Sequence, residues 1–169
     1  MQPNHCLVQL RCPTPLGPVR LAATDAGLAG LWFEDQRHRP EGLDGPKAWP
    51  VNESHRLLRE AAAQLQSYFA GQRQHFDLPL DLRAGTAFQQ AVWGALWAIA
   101  PGQTQTYGGI CRAIGKPQAA RAVGAAIGRN PLGIIVPCHR VLGQGGSLTG
   151  YAGGLARKSA LLQLEGVRL

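Results

Sequence analysis

The amino-acid sequence predicts an α+β fold in two domains, a small N-terminal α/β domain at residues 1–83 and a mostly helical C-terminal domain at residues 84–169. Three observations support this prediction. Short apolar runs bounded by turn residues lie near the start, helical periodicity and a helix-turn-helix spacing fill the second half, and all of the net charge lies in that half. With 169 residues, 45% of them hydrophobic, the chain can bury a core, which excludes intrinsic disorder.

The first domain is predicted to begin with three strands. Apolar runs at residues 7–12 and 19–23 are separated by a segment rich in Pro and Gly, which is typical of a hairpin. A turn at residues 25–27 leads into a third strand at residues 28–33. Residues 36–50 are polar and carry several prolines and glycines, so they are predicted to form a loop.

A helix is predicted to start at Ser54 and to stop at Gly71. Its apolar residues at helical spacing on one face are Leu57, Leu58, Ala61, Ala62, Leu65, Tyr68 and Phe69. Residues 74–84 are predicted to be a strand or an extended linker into the second domain. The first domain carries no constellation of reactive residues, so the chemistry is expected in the second.

The second domain is predicted to contain a helix-turn-helix. Before it, Thr86 and Gln89 have the spacing of a capping box, followed by a helix that ends at Pro101. The next helix covers residues 107–114, and Pro117 is predicted to open a further, recognition helix at its first position.

The predicted recognition helix consists almost entirely of Ala and Gly, so its backbone could approach a partner closely. Arg121 is its one long side chain, and the alternative is a packing helix with Arg121 on the surface. Lys116 stands where a capping Asn or Ser would be favourable, so the start of this helix is expected to be poorly capped.

The reactive candidate is Cys138. The apolar run at residues 134–136 is predicted to be a buried strand, and Cys138 follows it at a junction where side chains are presented to a site. His139 lies next to it, and Glu165 is the only acid of the domain that could fix the histidine tautomer. Neighbours on an extended chain point to opposite faces, so a turn or a bridging water would have to connect the thiol with the imidazole. The alternative is that Cys138 is a buried, unreactive thiol.

The distribution of charge indicates a polyanionic partner. The formal net charge is +7, and residues 1–83 are neutral, whereas residues 84–169 carry eight basic residues against Glu165 alone. Such a surface favours nucleic acid as the partner. The alternative, a charge that serves solubility, gives no reason for the asymmetry.

Several classes of protein are excluded or disfavoured. No apolar stretch is long enough to span a membrane, so no membrane association is expected. Residues 1–10 lack the pattern of a secretory signal, and the four cysteines are expected to be reduced in a cytoplasmic protein. His5, Cys6 and Cys12 lack zinc-ligand spacing, so no metal is expected.

The motif Ile135-Val136-Pro137-Cys138-His139-Arg140-Val141 resembles the active-site signature of the O6-alkylguanine-DNA alkyltransferases. Residues 107–130 resemble the DNA-binding element of that family, and Gly150-Tyr151-Ala152-Gly153-Gly154 and Glu165-Gly166 also match. The resemblance runs nearly continuously from residue 86 to residue 169. It implies a ribonuclease-H-like first domain and a winged-helix-like second domain, no cofactor, and a monomer that binds double-stranded DNA carrying O6-alkylguanine.

The resemblance also implies a role for individual residues. Cys138 would accept the alkyl group, His139 would act on it through a water, and Glu165 would orient His139. Tyr107 would bind the flipped base and help protonate the leaving guanine, and Asn130 would brace the active-site turn. Arg121 would fill the space left in the duplex. The other residues expected to bind DNA are Ala119, Ala120, Ala122, Gly124 and Arg140, and those expected to form the base and alkyl pocket are Val136, Pro137, Tyr151, Ala152, Gly153 and Gly154.

The product of such a transfer would be a thioether, which no residue here can hydrolyse, so each molecule would act once. O4-alkylthymine is a second possible substrate, and Gly133 leaves the size of the accepted alkyl group open. Two rival functions remain. A transcription regulator would use the helix-turn-helix but not Cys138, and a thiol hydrolase would use Cys138 and His139 but not the basic Ala/Gly helix.

Overall fold

A computed structural model describes residues 7–169 of the chain. His5 and Cys6, two of the three residues weighed for a metal site, therefore lie outside the described residues. Contacts divide the chain into two compact units, the first ending at Leu82 and the second covering Arg83–Leu169. Within residues 7–169, no helix is both long enough and apolar enough to cross a bilayer.

The first unit is a three-stranded antiparallel sheet with one helix packed against it. The strands are β1 (Val8–Cys12), β2 (Val19–Ala23) and β3 (Leu28–Phe33), in that spatial order, and the helix is α1 (Arg56–Phe69). All four elements follow the sequence-based prediction closely because the apolar alternation and the turn residues agree. Ala22, Trp32 and Leu43 form one cluster of the buried core.

The segments that connect these elements are irregular. The predicted loop at residues 36–50 contains one turn of 3-10 helix, Glu41–Leu43. The segment after α1 is extended and forms an isolated parallel bridge between Leu28 and Leu80. The side-chain amide of Gln64 holds this segment, because it donates to the Asp77 carbonyl and accepts from the Asp77 N–H.

The second unit contains four helices and a minimal parallel strand pair. The helices are α2 (Ala87–Trp97), α3 (Tyr107–Ala113), α4 (Ala120–Gly128) and α5 (Leu155–Leu164), and the strands are β4 (Gln105–Thr106) and β5 (Val141–Leu142). The predicted capping box of Thr86 and Gln89 is present at the start of α2. Trp93 joins α2 to α4, because its indole N–H donates to the Ala126 carbonyl at 2.9 Å inside the core.

The start of α4 differs from the prediction. Helix α3 ends as expected, with Gly115 in the left-handed region (φ +71°) and the Lys116 N–H bonded to the Cys111 carbonyl. Pro117 does not open the next helix. It is the second residue of a turn closed by the bond from the Ala119 N–H to the Lys116 carbonyl. Proline is favourable at this position of a turn, as it is at the first position of a helix. The N-cap residue is Ala119 rather than Lys116, and it makes no side-chain capping bond.

The run at residues 134–136 is buried but is not the predicted strand. Its N–H groups close local turns, from Ile135 to the Gly133 carbonyl and from Val136 to the Leu132 carbonyl, each at 2.8 Å. Ile134 has a positive φ of +70°, which a strand cannot contain. The apolar character of the run was a correct indicator of burial, but it does not distinguish a strand from a packed turn.

Candidate active site

Cys138 begins a single turn of 3-10 helix, Cys138–Arg140, which directly precedes β5. The turn is closed by the bond from the Arg140 N–H to the Pro137 carbonyl at 3.0 Å. All three of its side chains are buried, and Cys138 retains 8% of its surface exposed. Because these residues form a turn, the side chains of Cys138 and His139 need not point to opposite faces, as they would on an extended chain.

Asn130 braces the segment that leads to Cys138. Its side-chain oxygen accepts from the Leu132 N–H at 3.0 Å, and its side-chain nitrogen donates to the Val136 carbonyl at 2.7 Å. Asn130 is itself buried, and the two polar ends of its side-chain amide pair with one backbone acceptor and one backbone donor. Residues 130–136 are therefore fixed by one side chain from the end of α4.

His139 and Glu165 form a buried pair behind Cys138. The distance from His139 Nε2 to Glu165 Oε1 is 2.8 Å. Burial would raise the pKa of Glu165, but the hydrogen bonds from His139 and Arg140 outweigh it and lower the pKa to about 2. An ionised carboxylate only accepts hydrogen bonds, so Nε2 carries the imidazole proton and Nδ1 is left as the acceptor. Within residues 7–169, the buried Nδ1 has no hydrogen-bond partner.

Burial also holds His139 and Cys138 in their neutral forms at rest. It lowers the pKa of His139 below its ordinary value, against the opposing effect of Glu165. It raises the pKa of the Cys138 thiol, although a hydrogen bond from Asn130 and the charge of Lys158 act in the opposite direction. The site therefore combines a protonated thiol with a neutral imidazole whose acceptor nitrogen is unoccupied by protein, which suits removal of the thiol proton.

Arg140 occupies a different place from the one expected of a DNA contact. Its guanidinium donates to both carboxylate oxygens of Glu165 and, through Nη1, to the Ile99 carbonyl at the end of α2. The residue is only 5% exposed. Its donors face inward and hold the acid of the site, an arrangement that does not fit the expected DNA contact. The motif alone does not indicate this position, because the acid that Arg140 binds is Glu165, 25 residues away in the sequence.

Lys158 is the residue of this site that sequence reasoning missed. It lies on α5 with no exposed surface, and its ammonium donates to the Thr149 carbonyl at 2.8 Å and to the Gly150 carbonyl at 3.0 Å. Burial lowers its pKa to about 8, against the attraction of Cys138, so the side chain stays charged at neutral pH. A signal was present in the sequence: Lys158, Leu161, Leu162 and Glu165 have the spacing of one helix face, and all four are buried.

The strand pair brings Tyr107 to the active-site turn. Thr106 of β4 pairs with Leu142 of β5, and Tyr107 follows as the first residue of α3. The Tyr107 hydroxyl donates to the Thr149 carbonyl at 3.2 Å. Burial raises the pKa of Tyr107, so the phenol keeps its proton and remains a donor.

The remaining pocket candidates lie on both sides of the site. Val136 and Pro137 are buried immediately before Cys138. Tyr151, Ala152 and Gly153 are half-buried, and Gly154 is exposed at the N-terminus of α5, with its N–H bonded to the Tyr151 carbonyl. Residues 151–154 form the short connection from the segment after β5 into α5.

Helix α4 presents a slim exposed face. Val123, Ala126 and Ile127 point into the core, whereas Arg121 and Ala122 are exposed. Of the other residues expected to bind DNA, Ala120 is exposed, and Ala119 and Gly124 are half-buried. The exposed face thus carries methyl groups or hydrogens and a single long cation, which allows the helix backbone to approach a surface closely.

Comparisons with known proteins agree over both units. Residues 11–82 match the family model described as 6-O-methylguanine DNA methyltransferase, ribonuclease-like domain, and residues 87–167 match the DNA binding domain of the same family. A methylated-DNA–protein-cysteine methyltransferase of Methanosarcina acetivorans is 48% identical over 153 residues, which cover 90% of this chain and 94% of the relative. The protein of that name from Mycobacterium tuberculosis is 49% identical over 152 residues, covering 90% of this chain and 88% of the relative.

Solved structures give the same result. The crystal structure of the Mycobacterium tuberculosis O6-methylguanine methyltransferase has a TM-score of 0.83 at 46% identity and covers 94% of this chain and 92% of its own. A structure of the Mycobacterium tuberculosis protein in complex with DNA has a TM-score of 0.81 at 46% identity and covers 94% and 91% of the two chains. The chain with the buried Cys138, His139 and Glu165 constellation is a member of the 6-O-methylguanine DNA methyltransferase family.

Proposed function

We propose that the protein repairs double-stranded DNA by transferring the alkyl group of O6-alkylguanine to Cys138, once per molecule. The observation that carries the proposal is the buried bond between His139 and Glu165, which leaves an imidazole acceptor nitrogen in the residue next to a thiol. The names of the relatives and the DNA complex of the Mycobacterium tuberculosis protein support the same activity.

Activation of Cys138 begins with loss of its proton. His139 Nδ1 accepts this proton, through a water in the role that the family resemblance implies, and Glu165 stabilises the imidazolium through Nε2. The positive charge of Lys158 favours the thiolate, because a buried anion needs a cation nearby. The thiolate is the nucleophile that the reaction requires.

The transfer itself is a displacement at carbon. The Cys138 sulfur forms a bond to the alkyl carbon while the bond from that carbon to guanine O6 breaks. The guanine leaves with the electron pair and takes up one proton, which balances the proton removed from Cys138. Tyr107, whose phenol stays protonated, donates a hydrogen bond to the departing base.

The alkylated base must leave the duplex before the sulfur can reach it. The slim face of α4 suits the minor groove, and Arg121 fills the gap in the base stack, which offsets part of the few kcal/mol that unstacking costs. O4-alkylthymine is proposed as a second substrate, because it carries the alkyl group on an equivalent exocyclic oxygen. A cytoplasmic location is also proposed, supported by the free thiols of Cys12, Cys111 and Cys138.

Intact-protein mass spectrometry tests the proposal. After incubation with excess O6-methylguanine duplex DNA, the wild-type protein should gain one methyl group on Cys138 and then stop reacting. Cys138→Ser should gain none while still binding DNA, because a serine hydroxyl is a far weaker nucleophile at neutral pH. Cys111→Ala is the matched control, because Cys111 is also a buried thiol but lies outside the site, and it should react like wild type.

Two outcomes would contradict the proposal. Methyl release well beyond one equivalent would indicate a thiol hydrolase. DNA binding without any methyl gain by the wild-type protein would indicate a regulator that uses only the helix-turn-helix.

A further inference from the structure

The segment between β5 and α5, residues 143–154, contains two backbone carbonyls held by side chains from two helices. The Thr149 carbonyl accepts from the Tyr107 hydroxyl at 3.2 Å and from the Lys158 ammonium at 2.8 Å. The Gly150 carbonyl accepts a second bond from Lys158 at 3.0 Å. The first residue of α3 and a residue of α5 therefore meet at one carbonyl group.

Apolar packing contributes little to this part of the segment. Residues 144–147 and the residues Thr149 and Gly150 are exposed, so apolar burial contributes little to their position. The backbone bonds within the segment are local, such as the one from the Gly143 N–H to the Ser147 carbonyl. The bond from Lys158 ties the Gly150 carbonyl to α5, and Gly150 also lies close to Tyr107.

Burying Lys158 completely is costly, and the structure indicates what stabilises it. In the part of the chain that the structure describes, Lys158 forms no ion pair with a carboxylate. Its charge is compensated by the dipoles of the two carbonyl groups that it binds. An ammonium with three donors and a compact shape can bind two neighbouring carbonyls at once, which is the arrangement observed.

The proposed function places a second demand on Tyr107. Its single hydroxyl hydrogen now points to the Thr149 carbonyl, yet the same hydrogen must reach the flipped base. The Tyr107 hydroxyl also lies close to the backbone of Gly150, because a Cβ at this position would be 3.2 Å from that hydroxyl. The φ of Gly150 is +57°. When Tyr107 turns to the base, Lys158 is left to hold the Thr149 carbonyl.

We propose that Lys158 is a positioning residue that holds Thr149 and Gly150, which form one wall of the base pocket. Because Lys158 keeps this wall in place, the Tyr107 hydroxyl can release the Thr149 carbonyl and bind the flipped base instead. The inference rests on the proposed function for the exchange step. The wall itself can be tested without DNA.

Hydrogen exchange followed by mass spectrometry on the free protein tests the wall. Lys158→Met should speed exchange in residues 143–154 and leave α2 and α4 unchanged. Tyr107→Phe should leave that segment as protected as in wild type, because Lys158 alone is expected to hold it. Gln163→Ala, an exposed residue of the same helix, is the control and should change nothing. Equal loss of protection in Tyr107→Phe and Lys158→Met, or none in Lys158→Met, would overturn the proposal.

Single-turnover methyl transfer separates positioning from charge. Lys158→Met should slow transfer from duplex DNA by about 10- to 100-fold with DNA affinity unchanged, since a small displacement of a reacting partner has effects of this size. Lys158→Gln keeps two N–H donors without the charge, so it should restore the loop protection and part of the rate, and the remaining loss should reflect the missing charge beside Cys138. If Lys158→Gln were as slow as Lys158→Met while its loop stayed protected, Lys158 would act only through its charge on Cys138 and the proposal would be wrong.

These readouts also separate the inference from the proposed function. A wild-type protein that transfers no methyl group would contradict the proposed function, whereas the exchange data would still decide whether Lys158 holds the wall. A wild type that transfers normally, with no effect of Lys158→Met on rate or exchange, would contradict only the inference.

Discussion

Arg140 binds both carboxylate oxygens of Glu165 at once, with Nε 2.8 Å from Oε2 and Nη2 2.8 Å from Oε1. Oε1 also receives the bond from His139, so one carboxylate oxygen joins the cation and the imidazole. A bidentate guanidinium fixes the plane of the carboxylate, and the carboxylate in turn fixes the ring of His139. The orientation of the His139 imidazole beside Cys138 therefore depends on Arg140, which does not touch the thiol in this network.

The first prediction concerns the stability that this pair provides. Arg140→Met should lower the free energy of unfolding by about 3–5 kcal/mol, because it leaves the charge of Glu165 buried without its guanidinium partner. Urea unfolding monitored by circular dichroism measures this change. Arg11→Met is the control, because Arg11 pairs with Glu34 at an exposed position and should have little effect. Equal losses in the two variants would contradict the buried pairing.

The second prediction concerns acid. The pKa of Glu165 is about 2 in the folded protein, below its ordinary value of 4.5, so its contribution to stability is complete above pH 4.5 and is lost as the pH falls toward 2. By pH 3 the wild type should have lost about 2 kcal/mol from this group alone. Glu165→Gln cannot titrate, so its free energy of unfolding should fall less steeply between pH 5 and pH 3. Parallel curves for the two proteins would contradict the low pKa.

The third prediction separates extrusion from bond breaking. Arg121→Ala should slow repair of duplex DNA far more than transfer from free O6-benzylguanine, because the free base needs no extrusion. Single-turnover rates on the two substrates provide the measurement, once wild-type reaction with the free base has been established. Arg168→Ala, which removes an exposed cation outside α4, serves as the control. Equal slowing on both substrates would place Arg121 in the chemistry or the fold.

The fourth prediction concerns salt. Binding to duplex DNA should be tolerant of sequence, and log affinity against log salt should fall with a slope of about −0.9 per phosphate neutralised. The exposed basic residues among residues 84–169 are the reason, because their cations, unlike those of the buried Arg140 and Lys158, are expected to contact phosphates rather than base edges. Fluorescence anisotropy over a series of salt concentrations gives the slope. A slope near zero would remove the polyanion interpretation.

The elements that sequence predicted well are those with two independent local signals. Strand β3 combines an apolar run with a turn before it, and α2 combines a periodic stripe with the capping box of Thr86 and Gln89. Agreement between such signals leaves little freedom for the surrounding fold to change the outcome.

The features that sequence reasoning missed are decided by long-range contacts. Residues 134–136 are as apolar as a buried strand, but their N–H groups close local turns, and Asn130 braces these turns through the Leu132 N–H and the Val136 carbonyl. Pro117 is compatible with both a helix start and a turn, and the end of α3 selects the turn. The inward position of Arg140 depends on Glu165, which is 25 residues away in the sequence. No local pattern specifies such a partner.

The bond from Trp93 to the Ala126 carbonyl gives the protein an intrinsic optical reporter. An indole buried at 3% exposure and hydrogen-bonded to the last turn of α4 should emit at a wavelength that depends on the position of that helix. Any movement of α4 when DNA binds would change the polarity around this ring. The difference in emission between the wild type and Trp93→Phe would therefore allow the helix to be followed during a single repair event, without a dye attached to protein or DNA.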